Sequence, residues 1–194
     1  VNWSYRLKQP KVAKGKTFSF GGFTSPLLPS GSYTAKITKG RQTFEQPFEL
    51  VNDEQIKIPE ADRKQKQKIV SDIYDMIESL AYAVFQVDAY MAYASTSKKR
   101  KLETKLTELK ESMVITTGDN YVGAAEPQLR EKMTTLFQKV ENNYGAPTAN
   151  ELENLETIRK YNAEVMQSLK ELKKKYKLEN KVPLKSFEVF LRNE

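Results

Sequence analysis

The sequence predicts an α+β chain: a small antiparallel immunoglobulin-like or partial β-sandwich over residues 1–58, then an up-down four-helix bundle over residues 59–194. Three observations carry this prediction. Residues 1–50 alternate apolar and polar side chains with the period of half-buried strands. From Asp62 to about Ser95, apolar residues recur every three or four positions, the 3.6-residue period of an α-helix. Three further runs with helical spacing follow, separated by short polar or glycine-bearing turns.

In the first segment, Trp3, Tyr5 and Leu7 alternate with Asn2, Ser4 and Arg6, and Thr17-Phe18-Ser19-Phe20 repeats the alternation before Gly21-Gly22, which suggests a bulge or bend. Pro26 to Gly31 reads as loop. Tyr33, Ala35 and Ile37 share one strand face, Lys39-Gly40 supplies a tight turn, and the return strand places Phe44, Phe48 and Leu50 on the face expected to be buried. Pro47 removes a ladder donor and favours an edge position. Four such strands make a thin sheet beside the seven or so of an immunoglobulin domain, so the sheet is expected to be incomplete or to lean on the helices or on a domain upstream.

Residues 51–61 form a polar connector. The long helix carries one stripe of Ile69, Ile73, Met76, Leu80, Val84, Val87 and Met91 beside a second of Val70, Tyr74, Ile77, Ala81 and Phe85. About thirty-four residues rise roughly 50 Å, and so wide an apolar face requires other helices to cover it. Asp62 with Gln65 is the expected cap. Leu102, Leu106, Leu109 and Met113 mark a second helix. Pro127 suits the first turn of a third, with the seam Leu129, Met133, Leu136 and Val140. Thr148-Ala149-Asn150-Glu151 is a capping box that opens a fourth, with the seam Leu155, Ile158, Asn162, Val165, Leu169, Leu172 and Tyr176. A tail with Leu184, Phe187, Phe190 and Leu191 is expected to dock on the body.

Composition excludes several functions. Histidine and cysteine are both absent, which removes the commonest general base, the usual zinc ligands, His-based triads, thiolate chemistry and disulfides. No 18-residue apolar run is present, so no membrane span is expected. The net charge is +7, but residues 1–60 carry 9 basic and 5 acidic side chains and residues 61–194 carry 23 and 20. That excess looks spread along the chain, against the one-faced concentration of a nucleic-acid domain.

No catalytic, cofactor-binding or metal-ligating residue is assigned, and no cofactor is expected. Asp72 and Asp75 lie three apart on a helix, yet nothing titratable converges on them, so solvated charge is expected. Glu151, Glu153 and Glu156 suit a helix N-terminus. Asn162 interrupts an apolar seam, either as a contact to a ligand or loop or as a device that fixes register. Lys98-Lys99-Arg100-Lys101 and Lys173-Lys174-Lys175 are basic runs that would need to line up on one surface to hold phosphates. Gly21-Gly22 is no phosphate loop. Tyr74, Tyr82, Tyr90 and Tyr93 are expected at the rim of the core with their hydroxyls wet.

Trp3-Ser4-Tyr5-Arg6 and the stretch PLLPSGSYTAKITKGRQTFEQPFEL over residues 26–50 resemble the region that follows the β-propeller in bacterial BNR/Asp-box proteins related to sortilin-type and sialidase-like propellers. That family shows a Trp-x-x-Arg strand, a Pro-Gly-x-Tyr-Thr-Val hairpin and a Gln-Pro strand. A helical segment follows, with a Pro-Thr start like Pro147-Thr148 and an aromatic-Asn pair like Tyr161-Asn162. The sequence departs from the family at Asn52-Asp53-Glu54, where an Asp-Pro-Arg often closes the last strand. The resemblance implies the C-terminal part of a larger periplasmic, cell-surface or secreted protein; the capped bundle, the thin sheet and the absence of a convergent site add the expectation of a non-catalytic accessory domain with a structural or protein-interaction role. Its expected partners are the N-terminal β-propeller of the same parent chain, where any chemistry would lie, or another protein. The chain is accordingly expected to be a piece of a longer one. The alternative expectation is a module binding an anionic polymer, nucleic acid or acidic glycan, through lysine-rich helix surfaces.

Overall fold

The computed structural model describes residues 4–16, 24–53, 55, 57–117 and 125–192. It is a mixed α+β structure: strands β1 (Gly31–Lys39) and β2 (Gln42–Leu50), then helices α1 (Glu60–Thr96), α2 (Arg100–Met113), α3 (Leu129–Asn142), α4 (Ala149–Tyr176) and α5 (Phe187–Arg192).

Helix α1 is the axis of the molecule. Its 37 residues span about 55 Å, and Ile73, Ile77, Leu80, Val84 and Val87 are all at most 2% exposed. The buried stripe differs from the expected one by a small rotation. Met76 and Met91 sit at its edge, while Tyr90 and Ala94 lie inside. Tyr90, expected at the rim, is 1% exposed; burial, reinforced by the Glu179 charge, pushes its phenol up to about 12. The helix also begins earlier than expected. Pro59 precedes it and Asp62 lies in its first turn, so the proposed Asp62 cap is replaced by acidic residues acting on the macrodipole.

A 14-residue helix covers less than half of α1, so two lie end to end along it. Helix α2 packs on the C-terminal half of α1, where Lys110 pairs with Asp88 at 2.6 Å. Helix α3 packs on the N-terminal half, where Lys66 Nζ donates to the carbonyls of Glu141 and Asn143 at 2.7 and 2.9 Å. Both descend while α1 ascends. Helix α4 then ascends beside α1: Asn143 bonds to Glu151 near its start, Arg159 pairs with Asp72 in its middle, and Tyr82 reaches Lys185 beyond its end. The order is therefore up, down, down, up, and the expected strict alternation is corrected, because α3 runs in the same direction as α2. Leu102, Leu106, Met113, Leu129, Met133, Phe137, Leu155, Val165 and Leu169 close one continuous core against α1.

The capping box of α4 forms as expected. The Thr148 hydroxyl accepts from the Glu151 amide at 3.2 Å, and the Glu151 carboxylate accepts from the Thr148 amide at 2.7 Å. Replacing Thr148 with alanine is expected to lower stability by about 1 kcal/mol in denaturant titrations. For α3, Pro127 precedes the N-terminal residue Gln128 and is not in the first turn; Glu131 turns back to the Gln128 amide instead. The tail docks on α1, where Phe187 and Phe190 stand 5.4 Å from the Tyr82 ring.

Residues 6–16 run extended over the helices. The Lys11 amide donates to Glu78 at 3.4 Å, the Ala13 carbonyl accepts from Arg130, and the Lys16 amide donates to the Ile115 carbonyl. Of the expected first strand, the described part pairs only through the isolated bridge Arg6–Leu27. Trp3, the expected strand at Thr17–Phe20 and Gly21-Gly22 lie outside the described residues.

Candidate functional site

Three features of the surface invite function: the hairpin, the cleft at its root, and the charge at the far end of the helices. The hairpin is the whole sheet among the described residues. Gly31 pairs with Leu50 and Lys39 with Gln42, and the turn is Gly40-Arg41, with Gly40 at φ 61°, a conformation glycine adopts without strain. This register puts Tyr33 opposite Phe48 and Ile37 opposite Phe44 on one face. The rings of Tyr33 and Phe48 stack 5.8 Å apart. On the other face Lys36 pairs with Glu45 at 3.0 Å.

The apolar face matches the alternation in the sequence, but its burial does not follow. Ile37 is 63% exposed and Phe44 57%. Among the described residues no helix packs against the hairpin strands to cover them. A buried sandwich core at Tyr33, Ile37, Phe44 and Phe48 is thus corrected to an open face on a two-stranded ribbon. Ribbons of two strands are marginal by themselves and are normally completed by a third strand or a packed layer.

At the root of the hairpin, Glu141 of α3 holds three segments together. Its carboxylate accepts from the Leu27 amide at 2.6 Å and lies 3.6 Å from the Arg6 guanidinium. Arg6 also donates to the Ser25 carbonyl at 2.6 Å. Burial pushes the Glu141 carboxyl above the usual carboxylate range; the Leu27 amide, Lys66 and Arg6 oppose that shift. Burial likewise lowers the Lys66 ammonium. Beside this network lies a cleft of about 740 Å³, walled by the 6–8 and 26–30 segments, α1 from Arg63 to Asp75, and the α3–α4 turn. Its charges are mixed: Arg6 pairs with Glu141, while Lys66 and Arg63 donate to backbone carbonyls.

The opposite end of the helices is basic. Because α4 ascends beside α1, the two lysine-rich segments meet there: Lys105 and Lys175 line one hollow together with Glu108 and Glu171, and the charges of Lys99 and Lys181 both act on Tyr93. Residues 97–108 and 171–181 together hold ten basic side chains against four acidic ones. The excess that looked spread along the chain is therefore concentrated in space. Some of these cations are engaged: Lys99 with the Tyr93 hydroxyl, Lys173 with Glu179, and Lys181 with the Tyr176 carbonyl.

The remaining candidates have structural surroundings. Asp72 pairs with Arg159 and with Lys68, tying α1 to α4. Asp75 is exposed, its carboxyl raised by partial burial and by the Asp72 charge. Glu151 caps α4, Glu153 is exposed, and Glu156 pairs with Arg159. The Asn162 Oδ1 is buried on the seam without a hydrogen-bond partner among the described residues, as is Gln138 Nε2 on α3. The phenol of Tyr74 is pushed up to about 12 by burial and by Glu78. Sequence reasoning missed Arg130, 2% exposed, whose guanidinium pairs with Glu131 and donates to the Ala13 carbonyl at 2.9 Å. It also missed Glu141. The only signal was position: each directly follows an apolar seam residue, Leu129 or Val140.

No known protein family, curated protein or solved structure matches the chain. Among the described residues, no helix is long and apolar enough to cross a membrane, and no cluster of three or more acidic side chains has the geometry to hold a metal ion.

Proposed function

We propose that the chain is a non-catalytic accessory module of a larger secreted or cell-envelope protein, in which the open hairpin face seats on the β-propeller of the same parent chain. The four long helices form a bundle, with α2 and α3 sharing one limb, that serves as a spacer carrying the hairpin at one end. In the parent, the two strands contribute to a sandwich of immunoglobulin-like kind that the propeller side completes. The observation that carries this reading is the exposure of Ile37 and Phe44 on an otherwise regular apolar face.

The size of that face favours a tethered partner over a free one. Nine residues of strand at about 3.4 Å each and two strands about 5 Å apart offer roughly 300 Å². A stable interface between separate proteins buries about 800 Å² per partner. A partner on the same chain needs far less, since tethering raises its effective concentration to the millimolar range. For the same reason the isolated chain is expected to be a monomer.

The test is thiol labelling of a cysteine placed at Ile37, in the isolated chain and in the parent protein. Labelling at an unhindered rate in the isolated chain and strong protection in the parent are expected; equal rates in both would sink the reading. Hydrolysis of any glycoside or peptide bond by residues 1–194 would overturn the non-catalytic part.

A further inference from the structure

We propose that the basic end of the helices is a contact site for an anionic phospholipid surface. This goes beyond the reading above and does not depend on the propeller.

Helix electrostatics accounts for part of the charge and leaves a remainder. Lysines in the last turn of α4 are favoured by the macrodipole. Arg100 and Lys101 lie in the first turn of α2, which they share with Glu103, and a cation there is disfavoured by about 0.3–1 kcal/mol. Lys98 and Lys177 follow α1 and α4 in left-handed conformations, φ 53° and 51°. Those are positions where glycine or asparagine is the low-energy choice. Lysine at both, and cations at the wrong end of a dipole, mark a place where charge is kept against local stability.

The form of the site indicates the partner. Nine of the ten cations are lysines, point charges without the bidentate fork that arginine offers to phosphates and bases. Lys98, Arg100, Lys101, Lys105, Lys174 and Lys177 have no ion-pair partner among the described residues. The Tyr93 and Tyr176 rings lie under the ammonium groups of Lys99 and Lys175, at 4.7 and 5.9 Å, so their faces are not open platforms for stacking bases. The cations gather where α1 and α4 finish and α2 begins, and the hollow that Lys105 and Lys175 line also carries Glu108 and Glu171, so it is no purely basic track for a linear polyanion. A lysine-rich end meets a plane of headgroups with several charges at once, at about 1 kcal/mol per lysine near the surface. Among the described residues the large exposed apolar side chains lie elsewhere, so contact is by adsorption without insertion.

The experiment is co-sedimentation of the chain with phosphatidylcholine vesicles, with and without phosphatidylserine, beside titrations with duplex DNA and heparin at the same salt. Binding only to the phosphatidylserine vesicles, falling steeply as salt rises, is expected. The triple variant Lys98→Gln, Lys101→Gln, Lys174→Gln should lose about a hundredfold in affinity with an unchanged melting temperature. The triple variant Lys36→Gln, Lys39→Gln, Arg41→Gln, on the hairpin, should bind as the original does. The pair Lys98→Gly, Lys177→Gly should melt higher and bind more weakly, which separates charge from fold. Absence of vesicle binding, equal binding by the first triple variant, or tighter binding to DNA or heparin than to vesicles would overturn the proposal.

Discussion

Replacing Arg130 with methionine is expected to destabilise the protein by about 3 kcal/mol. The side chain is the largest charged group in the interior, 2% exposed. Methionine replaces much of its stem, so the loss comes chiefly from polar partners. The Ala13 carbonyl loses the Arg130 donor, and Glu131, whose side chain is 17% exposed, loses its ion pair with Arg130. Removing one member of a buried pair generally costs about 3–5 kcal/mol, because the other charge stays behind. The partial exposure of Glu131 places this case at the lower end. A second substitution tests the packing around the same group. A Cβ added at Gly15 would lie 2.7 Å from the Arg130 Nη1, so Gly15→Ala should cost about 1–3 kcal/mol by overpacking. With Arg130→Met already present, that cost should largely vanish. Denaturant titrations of the two single variants and the double variant measure the coupling, and additivity within about 0.5 kcal/mol would refute the contact.

These residues show where the chain is legible and where it is not. Ile73, Leu80 and Val87 declare α1 because a helix repeats its environment every three or four residues, and that period is written along the chain. Thr148 and Glu151 declare the start of α4 because both partners of the cap lie within one turn. Leu102 and Leu129 declare two helices, but nothing near them states whether the second reverses or continues the direction of the first. That choice decides whether Lys98 to Lys101 and Lys173 to Lys177 share an end of the molecule. Arg130 and Glu141 were illegible for a related reason. A charged residue beside an apolar seam reads as surface unless its partner is known, and the partners, Ala13, Leu27 and Arg6, come from a segment far away in sequence. The hairpin failed in the opposite way. Its alternation is clear, but alternation shows which face is apolar, and only the rest of the fold decides whether anything covers it.

Replacing Glu141 with leucine is expected to loosen the root of the hairpin while leaving the helices intact. The carboxylate is the acceptor for the Leu27 amide, next to the two backbone bonds that join residues 5–7 to residues 26–28. A hydrogen bond to a charged group contributes about 1.5–3 kcal/mol, so amide exchange at Leu7, Leu27 and Leu28 should quicken by roughly ten- to a hundredfold. Exchange in the core of α1 should not change. Glutamine at the same position separates hydrogen bonding from charge, since its carbonyl can still accept from Leu27. The folded Glu141 carboxyl is raised above its unfolded value because burial outweighs the amide and the two cations. A raised carboxyl adds stability that is fully present below the unfolded value, near 4.5, and is lost as pH rises through the folded one. Wild-type stability should therefore contain a component that falls with rising pH just above 4.5, and Glu141→Gln should abolish it. At neutral pH the glutamine variant should be at least as stable as the original, because it no longer buries an ionised carboxylate. If leucine left the three amides as protected as before, the hairpin would be held by its backbone bridge alone, and Glu141 would be a buried charge with no tethering role.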